Sequence, residues 1–255
     1  MQYNEVQANF NPEVGFIRRG NNSQYNAELA WKPQLQKSDT IRNLNFTSTL
    51  DYFEGRKNTA GKRSIETRAQ DVTLGIVFEN NSGASFNVGQ TFDRLVAPTR
   101  IQGLLIPRGD YKYTDFTGSF NTDASEKISG NASINWGEFW NGRRRSISTG
   151  LAIKPNYHLN VSLTFSRDLV KFQSGRASTD LVGARIIYGF TPRSFINAFL
   201  QYNSQSHEVS TNIRYNITYR PLSDIYLVYN DRRNTMQNLP LDREFVVKIT
   251  NLFSF

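Results

Sequence analysis

Residues 158–166 read H-L-N-V-S-L-T-F-S. Leu159, Val161, Leu163 and Phe165 alternate with Asn160, Ser162, Thr164 and Ser166. Successive side chains of a strand point to opposite faces, so this stretch predicts a strand with one apolar and one polar face. The pattern recurs outward from it in both directions. Residues 208–220 set Val209, Ile213, Tyr215, Ile217 and Tyr219 against Ser210, Asn212, Arg214, Asn216, Thr218 and Arg220. Residues 127–136 set Ile128, Ala132, Ile134 and Trp136 against Ser129, Asn131, Ser133 and Asn135. Similar runs carry Tyr25 to Trp31, Leu44 to Tyr52, Val72 to Phe78, Ile147 to Ile153, Val182 to Tyr188 and Ile196 to Tyr202. About fourteen such runs can be counted, most of about 9–13 residues. Soluble strands cluster near 5–6 residues, whereas a tilted strand that crosses a bilayer needs about 9–11. Two runs are weak: residues 2–9 alternate poorly, and Ile225 to Tyr229 is apolar on both faces.

Composition narrows the classes. A length of 255 residues suits one large β domain or two small ones; 1–255 reads as a single domain. There is no cysteine, which removes disulfides and thiolate metal sites, and the two histidines are His158 and His207. Aromatic residues make up 13% of the chain, a strand-favouring composition. The mean hydropathy is −0.53, and no window approaches the roughly 18 apolar residues of a spanning helix. The formal charge is +8, but nucleic-acid binding wants a basic stripe. Here Arg18-Arg19, Lys62-Arg63, Arg143-Arg144-Arg145 and Arg232-Arg233 sit between strand runs, as a charged rim would. No nucleic-acid partner is expected. Residues 1–10 lack the features of a signal peptide, which fits either a cytoplasmic protein or a fragment of a longer exported chain; the strand pattern favours the fragment.

The connections suggest an orientation. Residues 80–83, 154–157, 191–193 and 221–224 are short turns; 54–63, 94–110, 171–177 and 231–242 are longer. The long ones fall mostly at one side, with the two-residue signal Asn141-Gly142 as the exception. Short periplasmic turns with longer external loops mark outer-membrane barrels. Trp31, Tyr52, Trp136, Trp140, Tyr188, Tyr202, Tyr219 and Phe253 stand near strand ends, where interfacial girdles sit. No amphipathic helix is at hand to cover a sheet, and hydrocarbon demands that every backbone group be bonded. The expected fold is all-β: an antiparallel, up-and-down transmembrane β-barrel of about fourteen strands. A soluble β-sandwich would need the apolar faces as its interior, and the strand lengths speak against it.

The chain ends R-E-F-V-V-K-I-T-N-L-F-S-F, residues 243–255. Phe253 and Phe255 close an alternating strand, and this ending resembles the assembly signal of bacterial outer-membrane barrels. The resemblance implies the outer-membrane barrel-assembly machinery as a partner. Longer segments carry a second resemblance: N-F-N-P-E-V-G-F-I-R-R (9–19), F-D-R-L-V-A-P (92–98), I-P-R-G-D-Y-K-Y-T (106–114), G-R-R-R-S-I-S-T-G-L (142–151), Q-Y-N-S (201–204), Y-R-P-L-S-D-I-Y-L-V-Y-N-D (219–231) and V-V-K-I-T-N-L-F-S-F (246–255). In that order they resemble the C-terminal barrel of a bacterial family of unknown function whose members carry an N-terminal family-9-like carbohydrate-binding domain. The resemblance implies a Gram-negative outer membrane as the location. It implies an upstream signal peptide and sugar-binding-like domain, and carbohydrate as a partner only through that absent domain.

Chemistry-bearing residues are sparse. Ser206 and His207 are adjacent on one strand end, so their side chains diverge and do not build a nucleophile–base pair. No catalytic residue is expected, and any hydrolase activity would lie outside this chain. Asp110, Asp115, Asp123, Glu126, Glu208, Asp231 and Asp242 are scattered acids without a calcium-loop pattern. No metal and no cofactor is expected. G-R-K-N-T-A-G-K (55–62) lacks the strand-to-helix setting of a phosphate loop. Arg143, Arg144 and Arg145 open a strand at the inferred outer rim, where guanidinium suits lipopolysaccharide phosphate; a solvated charged rim is the plainer alternative. Arg185, Arg214, Arg220, Lys248, Glu28 and Glu244 are expected on the polar face, paired with one another and with Asn and Thr. The expected role is a membrane anchor or conduit for an upstream carbohydrate-binding-like domain. The alternatives are a porin-like pore for solutes or oligosaccharides and an outer-membrane hydrolase.

Overall fold

The computed structural model describes residues 1–7, 9–11, 20–35, 38–55 and 64–252. Period two becomes strand almost throughout. The strands are β1 (Gln2–Val6), β2 (Asn22–Trp31), β3 (Ile41–Gly55), β4 (Ser64–Phe78), β5 (Gly83–Leu95), β6 (Thr99–Ile101), β7 (Leu104–Ile106), β8 (Gly109–Asn121), β9 (Ile128–Phe139), β10 (Gly142–Ile153), β11 (Leu159–Phe172), β12 (Gly175–Thr191), β13 (Ser194–Asn203), β14 (Glu208–Arg220), β15 (Ser223–Asn234) and β16 (Leu239–Ile249). Fourteen of them form one antiparallel meander, each beside its sequence neighbours, and β6–β7 is a separate hairpin inserted between β5 and β8. The order runs from β1 to β16, and among the described residues no pairing joins those two. The two weak runs are both strands, β1 and β15.

Register keeps the faces separate. Ile213 lies opposite Ala198 and Tyr229, and Tyr215 opposite Ile196 and Leu227. One residue along, Asn212 lies opposite Phe199 and Asn230. A slip of one residue would exchange the faces completely.

Several connections are tighter than the sequence suggests. The β11–β12 turn is only residues 173–174, and 235–238 joins β15 to β16, because the strands run through 171–172, 175–177, 231–234 and 239–242. Gly175 (φ +140°) opens β12 and Asn238 (φ +50°) ends the 235–238 turn, both with positive φ. Length asymmetry is therefore weak in the C-terminal half; long strands stand where loops were expected. The Asn141-Gly142 turn is displaced by one residue. Trp140 (φ +48°) and Asn141 form the turn, and Gly142 opens β10. A Cβ on Gly142 would collide with the Lys171 carbonyl, which explains why glycine sits in the strand and not in the turn.

The chain divides into two compact units. The first comprises Met1–Phe120, Ile134–Arg145 and Val170–Ala177; the second comprises Asn121–Ser133, Ser146–Leu169 and the described residues from Ser178 onward. The buried large apolar side chains, Phe53, Ile106, Val170 and Phe172, all belong to the first unit. Among the described residues the second unit has none.

Candidate functional site

In both units the apolar face of the sheet is the exposed one. Among the described residues thirty-five large apolar or aromatic side chains are exposed, against four buried. Leu74 on β4 is 56% exposed and Leu163 on β11 46%. Full burial of one such side chain is worth about 1.5–3 kcal/mol, and apolar patches on soluble monomers rarely exceed a few hundred Å². In the first unit Trp31, Phe46, Leu74 and Phe86 stand side by side across β2 to β5. Phe86, Phe116 and Trp136 extend the row, with centroids 5.8–6.3 Å apart.

Charge bounds this apolar band at one end. In β12 the outward positions run Val182, Ala184, Ile186, Tyr188 and Phe190, and the next one toward the β11–β12 turn is Asp180. Asp180 accepts from Arg167 Nε (2.6 Å) and Nη2 (2.7 Å). Asp231 holds Arg233 and Arg243 in the same way at 2.6 and 2.9 Å, and in the first unit Asp110 holds Arg94 at 2.7 and 2.6 Å. These hydrogen bonds keep all three carboxyls below the usual carboxylate range, Asp231 through Arg243 first. The pairs are exposed, so they add little stability; their interest is position. The apolar face of β12 runs over nine residues, 182–190, which matches the length that crosses hydrocarbon. Aromatic side chains cluster in each unit: Tyr3, Tyr25 and Tyr52 in the first, and Tyr157, His158, Tyr188, Phe190 and Tyr215 in the second.

The opposite face is a hydrogen-bonded polar lining. In the first unit Asn135 Nδ2 donates to Asp115 (2.7 Å) and Thr117 (2.9 Å), Asn87 donates to Thr73 (2.9 Å), and Ser85 meets Ser119 at 2.7 Å. In the second, Asn212 donates to Asn230 and Asn230 to Glu244 Oε2 (3.2 Å). A cavity of about 290 Å³ opens in the second unit, lined by uncharged groups that include Asn121, Ser129, Asn131, Ser162 and Thr164.

Sequence reasoning missed a cap on this lining. The 94–110 connection holds the β6–β7 hairpin, turned at Gln102 (φ +49°) and Gly103 (φ +80°), both left-handed as the tight hairpin turn requires. Its Ile106 is wholly buried against Val170 and Phe172, with Leu95, Tyr111, Phe139 and Trp140 around them. Leu95, Tyr111, Phe139, Val170 and Phe172 continue the polar face of β5, β8, β9 and β11 by strand alternation. Ser174 Oγ donates to the Leu105 carbonyl (2.9 Å) and Tyr111 Oη to the Pro107 carbonyl (2.8 Å). The legible signal was a change of pattern: in β11 the Ser162, Thr164, Ser166, Asp168 series turns to Val170 and Phe172. Trp140 belongs to this cap and not to an interfacial girdle. It packs 4.7 Å from Phe139 and donates Nε1–H to Asp93 (3.1 Å).

The structure separates the predicted arginine triad. Arg143 and Arg145 share the apolar face of β10 with Ile147 and are exposed, whereas Arg144 turns to the other side over the Phe139 ring at 5.2 Å. Phe253 and Phe255, Arg18-Arg19, Lys62-Arg63 and the 56–63 loop lie outside the described residues. Ser206 and His207 are consecutive residues of the 204–207 turn; His207 (φ +55°) offers its carbonyl to Thr235. His158 Nδ1 lies 2.6 Å from the Gly189 carbonyl among tyrosines. Among the described residues Arg185 and Arg214 pair with no carboxylate; they lie over Phe199 (5.1 Å) and Phe195 (6.0 Å). Compared with family models, with curated proteins and with solved structures, the chain matches none of them.

Proposed function

We propose that this chain is an outer-membrane β-barrel domain whose fourteen strands cross the bilayer, anchoring or passing material for a carbohydrate-binding-like domain upstream. The observation that carries the reading is the inverted sheet: its apolar face is exposed and its polar face is hydrogen-bonded. In water that arrangement leaves the hydrophobic driving force unused; in lipid it is the stable one. Closure of the sheet follows from the same reading, because an open edge inside hydrocarbon leaves backbone groups unbonded. The end with the ion pairs then faces outward, and Arg143 and Arg145 lie where lipopolysaccharide phosphates run. Phe253 and Phe255 would serve as the assembly signal. A pore for solutes is the second reading, favoured by the polar lining and its cavity; the hairpin cap points to a narrow or closed mouth rather than a wide one. The test is expression with an export signal followed by membrane fractionation and unheated gel electrophoresis. Outer-membrane recovery with a heat-dependent mobility shift is expected. A soluble monomer without detergent would overturn the reading.

A further inference from the structure

On the polar face of the second unit, β13 presents Phe195, Asn197 and Phe199 in line. Arg185 of β12 lies over Phe199 and Arg214 of β14 over Phe195. Asn197 stands between the two stacks, directly opposite Arg214. Among the described residues neither guanidinium has a carboxylate partner. Glu244, two strands away from Arg214 on β16, accepts from Asn230. Stacking orients a guanidinium while leaving its N–H edge free, and that edge matches the oxygens of a carboxylate or phosphate.

A second, independent observation falls in the same place. Three buried side-chain polar atoms here, Arg214 Nε, Asn197 Oδ1 and Asn216 Oδ1, lack a partner among the described residues. Asn216, opposite Phe195, is only 6% exposed. Buried polar atoms without partners cost free energy until water or a ligand completes them. Ionisable groups kept within a membrane-crossing segment are costly and mark a pathway or a site. Gly189 lies opposite Phe195 on β12 and leaves room beside the stack, since a Cβ there would meet nothing closer than 3.9 Å.

We propose that Arg185 and Arg214, held on Phe199 and Phe195, form a binding subsite for the oxyanion group of a small hydrophilic solute, with Asn197 and Asn216 receiving its hydroxyls or its water. This rests on the polar face being the water side of the sheet. The bonds are charge-assisted and bidentate at best. They select a carboxylate- or phosphate-bearing solute over its neutral analogue.

The experiment titrates the full chain, folded in detergent, with glucuronate and with glucose by calorimetry, with inorganic phosphate as competitor. The two sugars share a ring and differ in the carboxylate. Glucuronate is expected to bind at least about tenfold more tightly than glucose and to be displaced by phosphate. The R185Q/R214Q variant should weaken it about tenfold or more, and R185K/R214K should retain part of the affinity. Should the double variant fold poorly, Arg185→Gln alone is the readout, because its side chain is exposed. Equal affinity for the two sugars, no binding of glucuronate, or unchanged binding by the glutamine variants overturns the subsite. A chain that is soluble without detergent sinks the membrane reading, and the same titration then tests the subsite on that soluble protein.

Discussion

Replacing Ile106 by alanine should release the hairpin cap and leave the sheet intact. Ile106 has no exposed surface. The substitution removes three carbons, about 2.4 kcal/mol at about 0.8 kcal/mol each, and the cavity left among Val170, Phe172 and their neighbours raises the loss into the range of about 2–5 kcal/mol. Other tethers include the partly buried Ile101 and Leu104 and the Ser174–Leu105 and Tyr111–Pro107 hydrogen bonds, the bonds worth about 0.5–1.5 kcal/mol net apiece. Ile106, at about 2–5 kcal/mol, matches or outweighs those two hydrogen bonds together. Arg100 and Arg108 flank the hairpin's second strand and are exposed, so trypsin reports on its opening. When opening is fast relative to cleavage, the rate follows the open population. A loss of 2.4 kcal/mol then means about 50-fold faster cleavage at these two bonds. Leu105→Ala, on the exposed side of β7, should change it less than about threefold. The assay is digestion in micelles with mass-spectrometric mapping, beside unheated gel mobility. Cleavage of Ile106→Ala within about threefold of the parent refutes the cap, and so does collapse of the whole sheet.

Three further outcomes follow from the same geometry. Leu163→Arg, in the middle of the apolar band, should lose about 2–4 kcal/mol of folding free energy in lipid vesicles, whereas an exposed site in water would change by about 0.5 kcal/mol or less; urea titration of the refolded chain tells the two apart. Gly142→Ala should lose about 1–3 kcal/mol because its Cβ meets the Lys171 backbone, while Gly118→Ala, with neighbours at 3.8–3.9 Å, should be near neutral in the same titration. The Asp110 carboxyl should titrate below the ordinary aspartate range by carbon NMR and move up in Arg94→Gln. Its pKa is depressed in the folded chain, so the Arg94 contact helps above the unfolded pKa and is lost as pH falls through the folded one; an unmoved Asp110 resonance in Arg94→Gln counts against the pairing.

The strands were legible because one rule, period two, acts locally and repeats. Leu159 to Phe165 declares its faces without help from distant residues, and register merely multiplies that signal. What escaped were features made by distant segments meeting. Gly142 reads as a turn residue until Lys171 is beside it. Ile101, Leu104 and Ile106 look like a loop with stray apolar residues until Val170 and Phe172 supply a floor. Trp140 has the sequence position of a girdle residue, but its indole N–H reaches Asp93. Arg185 and Arg214 were expected to find acids. Register instead sets Phe199 and Asn197 opposite them on β13, and alternation alone does not reveal that β13 is aromatic on its polar face.

The chain's three tryptophans permit a direct test of which face meets lipid. Trp31 and Trp136 are exposed on the apolar face, and Trp140 is packed in the cap. Single-tryptophan versions, with the other two replaced by phenylalanine, can be folded into vesicles of brominated phosphatidylcholine. Strong quenching of Trp31 and Trp136, with Trp140 nearly unaffected, is the predicted result. Equal quenching of all three, or quenching of Trp31 and Trp136 by aqueous iodide in place of lipid bromine, would contradict a membrane-crossing sheet.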